Sequence, residues 1–380
     1  MDASPDETTD AQGSESDGGH VIPQFDLNQD IPTGILSIEA SAGTGKTFTL
    51  AALVARLIAE GEATASEFLV VTFTRAAADE LRGRVRQFLV DAIEALEAPE
   101  PVDGGGWLEH LCDVGASERA LRTTRLRQAV IDFDALGIAT IHGFATQVLG
   151  TLGAKAGLDP DARLVADSKE LIDQVCADVM ASLADDAEVA ADDVPKLKKL
   201  RAVAQQALST PGIDLIPGDH DEDASPAARE LARRVRLVGA AVAERRRRLG
   251  TMAFDDVLVR LRDALAAPGS DEVINTLRGR YRVALIDEFQ DTDPVQWAIF
   301  ERLFDNRDDG SRLILVGDPK QSIYGFRGAD IATYSKAVRQ RPGLHRFSLG
   351  TNWRSDEQLV RALDTLFAGA TFGPTLTSRM

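Results

Sequence analysis

Four short stretches carry side chains whose types and spacing could do chemistry. The first is Glu39-Ala40-Ser41-Ala42-Gly43-Thr44-Gly45-Lys46-Thr47. Small residues let backbone N–H groups close around an anion, and a helix starting near Lys46 would add the positive end of its dipole. Lys46 would then reach the terminal phosphates of a nucleoside triphosphate, and the Thr47 hydroxyl would hold Mg²⁺. The strict phosphate-loop pattern has glycine where Ala40 stands; alanine still permits a tight loop. The bland alternative is an ordinary glycine-rich turn.

The second stretch is Asp287-Glu288, two acids at the exit of the apolar run Val283–Ile286. Beside a phosphate loop, Asp287 suits Mg²⁺ binding, and Glu288 suits orienting or deprotonating an attacking water. The alternative is a pair of acids favoured by the start of the helix predicted over 295–304. The third stretch is Gln321-Ser322-Ile323-Tyr324-Gly325-Phe326-Arg327. The Gln321 amide can hydrogen-bond a terminal phosphate and report its loss. Tyr324 and Phe326 either plug the core or offer ring faces to unpaired bases, a contact of about 1–3 kcal/mol per base that tolerates any sequence. The fourth is Asn352-Trp353-Arg354-Ser355, in which Arg354 could meet the charge of a phosphoryl-transfer transition state.

These groups need a scaffold that brings distant segments to one edge. Apolar runs at 35–38, 68–74, 137–141, 281–286, 312–317 and 344–349 read as strands, several followed by helical periodicity, as in 48–60, 75–90 and 295–304. That alternation predicts an α/β fold with a parallel sheet flanked by helices, whose ligands sit at the carboxyl ends of the strands. Thr72, Thr74 and His142 would project from that edge. For the two threonines helix capping is the alternative role, and for the histidine a structural one. Residues 97–118 read as a loop. Residues 151 to about 250 are rich in Ala, Asp and Arg and read as a helical insertion; another amphipathic helix begins at Phe254-Asp255-Asp256.

Composition narrows the function classes. The 380 residues suffice for two or three domains, and 44% are apolar. A net charge of −18 argues against a nonspecific nucleic-acid coat protein. Arginines still gather at Arg82, Arg84, Arg86 and at Arg245 to Arg248, which leaves room for a local basic groove or for solvated helix faces. Residues 1–22 hold acids and small polar residues with almost nothing to bury, so disorder is expected there. No apolar run has membrane-spanning length and no signal segment leads the chain. Cys112 and Cys176 are expected to be reduced, buried thiols in a cytoplasmic protein, and the five histidines form no ligand-spaced cluster.

Taken together, the motifs resemble the UvrD/Rep group of superfamily 1 DNA helicases, and within it the RecB-type branch. The residues that carry the resemblance are 39–47, Thr72-Phe73-Thr74-Arg75 with Ala76 to Leu81, Thr140-Ile141-His142-Gly143-Phe144, and Phe254-Asp255-Asp256. Ile286 to Gln296, Gly317 to Ala329 and Asn352-Trp353-Arg354-Ser355 complete it. The resemblance covers roughly residues 25–370. It implies that ATP and Mg²⁺ are served by Ala40 to Thr47, Asp287, Glu288, Gln321 and Arg354, with Trp353 stacking near the adenine. It implies that Thr72, Phe73, Thr74, His142, Phe144, Tyr324 and Phe326 lie along a single-strand DNA path. The family's upstream adenine-reading glutamine has no clear equivalent.

The implied architecture is a RecA-like lobe made of 23–150 and 268–342, a helical insertion over 151–267 that faces duplex DNA, and the start of a second RecA-like lobe at 343–380. Because the chain stops at Met380, the expectation is an ATP-dependent DNA helicase in truncated or split form, binding ATP but turning it over poorly by itself. The expected partners are DNA and RecC- or RecD-like subunits, or a chain supplying the remaining lobe. The rival is a noncatalytic module that holds nucleotide or DNA or docks a partner. A phosphate-loop kinase would leave the loop from Gln321 to Arg327 unexplained.

Overall fold

Strands rich in Val, Ile and Leu without polar alternation must be covered on both faces. The computed structural model arranges them so. It describes residues 22–98, 106–152, 163–165, 168–183, 193–209, 215–218, 221, 223–253, 256–305, 307–323 and 331–368. The strands are β1 (Gly34–Ala40), β2 (Phe68–Thr72), β3 (Gly137–Thr140), β4 (Arg163–Val165), β5 (Thr251–Ala253), β6 (Val283–Ile286), β7 (Arg312–Gly317) and β8 (His345–Leu349). Among the described residues six of them form one sheet in the order β3-β2-β6-β7-β1-β8, parallel throughout. The register sets Ile38 beside Val316 and Phe347, and Leu285 beside Ile314 and Val70.

Successive strand residues point to opposite faces. Leu36, Ile38, Phe68, Val70, Leu285 and Val316 enter one apolar layer, under α1 (Lys46–Ala59), α2 (Arg75–Glu97), α3 (Trp107–Cys112) and α4 (Ala116–Ile131). Helix α1 is apolar nearly all round and is buried from Thr49 to Ala59, so it is the central helix of this layer. Leu69, Val71, Ile286, Leu313 and Leu315 enter the other layer, which begins with α5 (Ile141–Leu152).

The chain then leaves the sheet for α6 (Lys169–Ser182), α7 (Leu197–Ser209) and α8 (Pro226–Leu249), which enclose a core of their own around Cys176, Val179, Leu200, Val235 and Val238. Strands β4 and β5 pair in parallel at the neck of this insertion. Helix α8 has clear punctuation. Ser225 accepts the Ala228 N–H at its start, Pro226 follows, and Gly250 ends it with φ +58°. The chain rejoins the second layer through α9 (Asp256–Ala266), α10 (Asp271–Arg280), α11 (Pro294–Phe304) and α12 (Ile331–Tyr334), the last running into a π-helical turn. Helix α13 (Glu357–Phe367) follows β8 and buries none of its residues.

Three expectations are corrected. Helix α9 is not part of the insertion: Val257, Leu258, Leu261 and Leu265 pack in the sheet's second layer, so the excursion closes near Gly250 rather than at 267. Residues 345–349 do not start a separate lobe, because β8 is an edge strand of the same sheet, paired with β1. Within 97–118, read as loop, Trp107 opens α3 and stacks on Phe88 at 5.5 Å. The acidic segment expected to be disordered falls, up to residue 21, outside the described residues.

Candidate nucleotide-binding site

The buried strand β1 delivers Ala40 to the carboxyl edge of the sheet, and the chain turns into α1 within five residues. Gly43 and Gly45 make that turn with φ of +82° and +89°, values that glycine adopts without the penalty a Cβ brings. The Thr44 hydroxyl donates to the Ser41 carbonyl at 2.8 Å and closes the loop on itself. Lys46 is the first residue of α1, with Thr47 behind it.

Two strands away, β6 ends at Ile286, and the Asp287 N–H donates to the Val71 carbonyl, extending the pairing with β2. Glu288 follows with φ +51°, the one non-glycine with positive φ among the described residues. Such a conformation costs about 1–2 kcal/mol. Two hydrogen bonds hold it: Glu288 N–H donates to Asp287 Oδ1, and Asp291 N–H donates to the Glu288 carbonyl. The turn aims Glu288 at the phosphate loop, where Lys46 Nζ lies 2.9 Å from both carboxylate oxygens. Gln290 Nε2 donates to Glu288 Oε2 at 2.7 Å from the other side. Burial, and then the Glu288 charge, raise the Asp287 carboxyl from 3.8 to about 6. The same two causes raise Asp291 to about 6, with Lys46 opposing them. Asp287 is thus a half-buried carboxyl whose charge is opposed by desolvation and by the neighbouring Glu288 carboxylate.

Lys46, Thr47, Glu288, Gln321, Trp353 and Arg354, predicted from four separate stretches, line a single cleft of about 500 Å³. Ser41, Ala42, Gly43 and Gly45 form its floor. Gln321 is held by its Nε2, which donates to Asp318 Oδ2 at 2.7 Å. The Trp353 N–H donates to the Gly43 carbonyl at 2.9 Å, so the segment after β8 docks on the phosphate loop, while the Trp353 ring stays 79% exposed. Glu80 and Arg84 of α2 also line the cleft. Sequence reading missed them as site residues; Arg84 stood in an arginine run that reads as a solvated face. Their i, i+4 spacing on a helix that starts at this edge was the available signal.

The family model of the UvrD/REP helicase N-terminal domain matches residues 25–342. The chain belongs to the UvrD/REP helicase family. It is 42% identical over 339 residues to the RecBCD enzyme subunit RecB of Mycobacterium tuberculosis, an alignment covering 88% of this chain and 30% of that protein. Against RecB of Mycolicibacterium smegmatis it is 41% identical over 355 residues, 92% of this chain and 31% of the relative. Against RecB of Escherichia coli it is 30% identical over 450 residues, 87% of this chain and 38% of the relative. The chain thus spans about a third of the length of these curated relatives.

Of the residues expected along a DNA strand in this helicase domain, Phe73 and His142 are half-buried at the carboxyl edge, at the end of β2 and in the first turn of α5. Thr74 is exposed and caps α2, accepting the Ala77 N–H at 3.1 Å. Two expectations are corrected. Thr72 is buried and its hydroxyl donates to the Thr74 carbonyl. Phe144 is 1% exposed, with its ring 5.7 Å from Tyr281 and 6.3 Å from Phe300. Neither offers its side chain to a strand. Tyr324 and Phe326 lie outside the described residues.

Among the described residues, no group of three or more His, Cys, Asp or Glu could enclose a metal ion. Among the described residues no helix is long and apolar enough to cross a membrane.

Proposed function

We propose that this chain binds ATP with Mg²⁺ in the Lys46 cleft and hydrolyses it to drive movement along single-stranded DNA, as the motor part of a RecB-type ATP-dependent DNA helicase. The observation that carries the reading is the 2.9 Å approach of Lys46 to Glu288, which sets a phosphate-loop lysine and a strand-end carboxylate in one cleft. The donor set fits the ligand. Loop N–H groups and the α1 dipole favour an anion, the two left-handed glycines let the loop make its tight turn, and Lys46 supplies a cation.

Lys46 leaves Glu288 for the phosphates. Glu288, still held by Gln290, orients a water for attack on the γ-phosphorus and takes its proton, and the bridging oxygen leaves with ADP. Gln321 meets the γ-phosphate, and Arg354 adds positive charge as the transition state forms. Thr47 and Asp287 would hold Mg²⁺, which neutralises phosphate charge when bound. Trp353, exposed on the rim, offers its face to the adenine. Phe73, Thr74 and His142 line the strand path at the sheet's carboxyl edge, Tyr324 and Phe326 are assigned to the same path by their motif alone, and the insertion meets duplex ahead of it.

The relatives are RecB subunits of a RecBCD enzyme, so RecC- and RecD-like subunits are the partners this reading assigns. The buried free thiols of Cys112 and Cys176 suit a cytoplasmic setting. The test is titration of the purified chain with a fluorescent ATP analogue and Mg²⁺, followed by hydrolysis assays with and without single-stranded DNA. Binding abolished by Lys46→Ala supports the reading. A chain that takes no nucleotide, or takes it equally well without Lys46, sinks it.

A further inference from the structure

Gln290, which holds Glu288 in the reaction described above, is 2% exposed, and both ends of its side-chain amide are bonded. Its Nε2 donates to Glu288 Oε2 at 2.7 Å. Its Oε1 accepts the Asp318 N–H at 2.9 Å, at the point where β7 ends and the Gln321 loop begins. Its carbonyl accepts the Ser322 hydroxyl at 3.2 Å. Gly317 leaves room for this, because a Cβ there would stand 2.5 Å from Gln290 Oε1. Asp318 in turn accepts the Lys320 N–H and the Gln321 Nε2–H through its carboxylate, and the Gln321 N–H through its carbonyl. An unbroken hydrogen-bonded path therefore runs from Lys46 through Glu288, Gln290 and Asp318 to Gln321.

We infer that Gln290 is a positioning residue that couples the Lys46–Glu288 pair to the Gln321 loop. The inference rests on the nucleotide reading above and adds to it a route by which the loop registers phosphates it does not touch. When phosphates draw Lys46 away, Glu288 loses one of its two side-chain donors and keeps Gln290. A carboxylate left with one donor binds that donor more strongly. The Gln290 amide is thereby fixed, and its other end holds the Asp318 N–H that starts the loop. Glu288 keeps its orientation toward the water, and the loop tightens with it. A buried amide of no mechanistic use would satisfy the Asp318 N–H equally well without touching Glu288.

ADP provides the discriminating probe, since it lacks the γ-phosphate that Gln321 would contact. Hydrogen–deuterium exchange is followed on the full chain with and without MgADP, over residues 41–47 and 318–323. In the wild type we expect slower exchange in both segments. Gln290→Met removes both ends of the bridge. Glu288→Ala cuts the path at its other side and leaves the Gln290–Asp318 bond and the loop's fold intact. In each variant we expect residues 41–47 to respond to MgADP and residues 318–323 not to. If Gln290→Met fails to fold, Glu288→Ala alone decides. A loop that responds to MgADP as in the wild type in either folded variant overturns the inference, as does a wild-type loop silent to MgADP while 41–47 responds. No response in 41–47 of the wild type removes the nucleotide reading and this inference together.

Discussion

A Cβ on Gly43 would stand 2.7 Å from the side-chain oxygen of Asn352 and 2.9 Å from the Cβ of Arg354. The same Asn352 oxygen accepts the N–H groups of Arg354 and Ser355, and the Gly43 carbonyl accepts the Trp353 N–H. The phosphate loop and the segment that carries Trp353 and Arg354 are thus fitted through a missing side chain. Gly43→Ala would meet this contact and a φ of +82° at once. We expect a folded protein whose nucleotide affinity drops about tenfold, about 1.4 kcal/mol. Circular dichroism with an ADP-analogue titration checks this, and unchanged affinity would argue that the docking is incidental.

Glu288→Gln should separate binding from hydrolysis. Lys46 is paired with Glu288, and the side chains are 15% and 34% exposed. A phosphate must compete with that carboxylate for Lys46. Part-exposed pairs of this kind are worth about 0.2–1 kcal/mol. Removing the charge should therefore tighten ADP binding by a factor of about 1.4 to 5 while hydrolysis is lost. Calorimetric titration of both proteins gives the comparison, and weaker binding in the variant would contradict it.

The pH dependence follows from Asp287 and Asp291. Both carboxyls are raised from 3.8 to about 6, chiefly by burial and then by Glu288. Between those values the folded protein keeps protons that the unfolded chain has released. Metal-free stability should therefore fall as pH rises from about 4 through about 6. Mg²⁺ affinity should rise over the same window, because a protonated carboxyl is no ligand. Urea midpoints across this range, repeated with Asp287→Asn and Asp291→Asn, test it. A slope unchanged in both variants would assign the effect elsewhere.

Much of the site was legible because its pattern is local. The small-residue loop from Ala40 to Gly45 needs only the strand before it and the helix after it, and the acids after Ile286 stand at the end of an apolar strand. What the sequence does not carry is which layer a helix joins. Helix α9 has the same amphipathic pattern as the insertion helices before it, and only the packing of Leu258 and Leu261 under the sheet separates them. Likewise β8 reads as a strand, but its partner β1 lies about three hundred residues earlier, and pairing at that distance leaves no local mark. The bridge through Gln290 was invisible for the same reason, since Asp318 comes together with it only through the β6–β7 register.

The insertion should melt as its own unit. Its core, with Val175, Cys176, Leu200 and Val238, shares no residue with either layer of the sheet. Leu200 is fully buried there, and Leu200→Ala should destabilise that unit by about 2–5 kcal/mol. Exchange of amides in α6, α7 and α8 should accelerate, while α1, β1 and nucleotide binding are unaffected. Faster exchange across the sheet as well would show that the two cores unfold together.

Phe144 separates a structural aromatic from a DNA-stacking one. Its motif, Thr140 to Phe144, suggests a place on the strand path, and its neighbour His142 does stand half-buried at that edge. In a helix, however, residues two apart point to different sides. The Phe144 ring turns inward to meet Tyr281 and Phe300, beneath Ala145 and Val148 of the same helix face. Phe144→Ala would open a cavity between α5 and α11 and should cost about 3–5 kcal/mol. His142→Ala, which empties no core position, should leave stability nearly unchanged and weaken single-strand binding. Thermal unfolding and oligonucleotide anisotropy on the two variants settle the assignment. If Phe144→Ala keeps its melting temperature and loses DNA affinity, the assignment to the core is wrong.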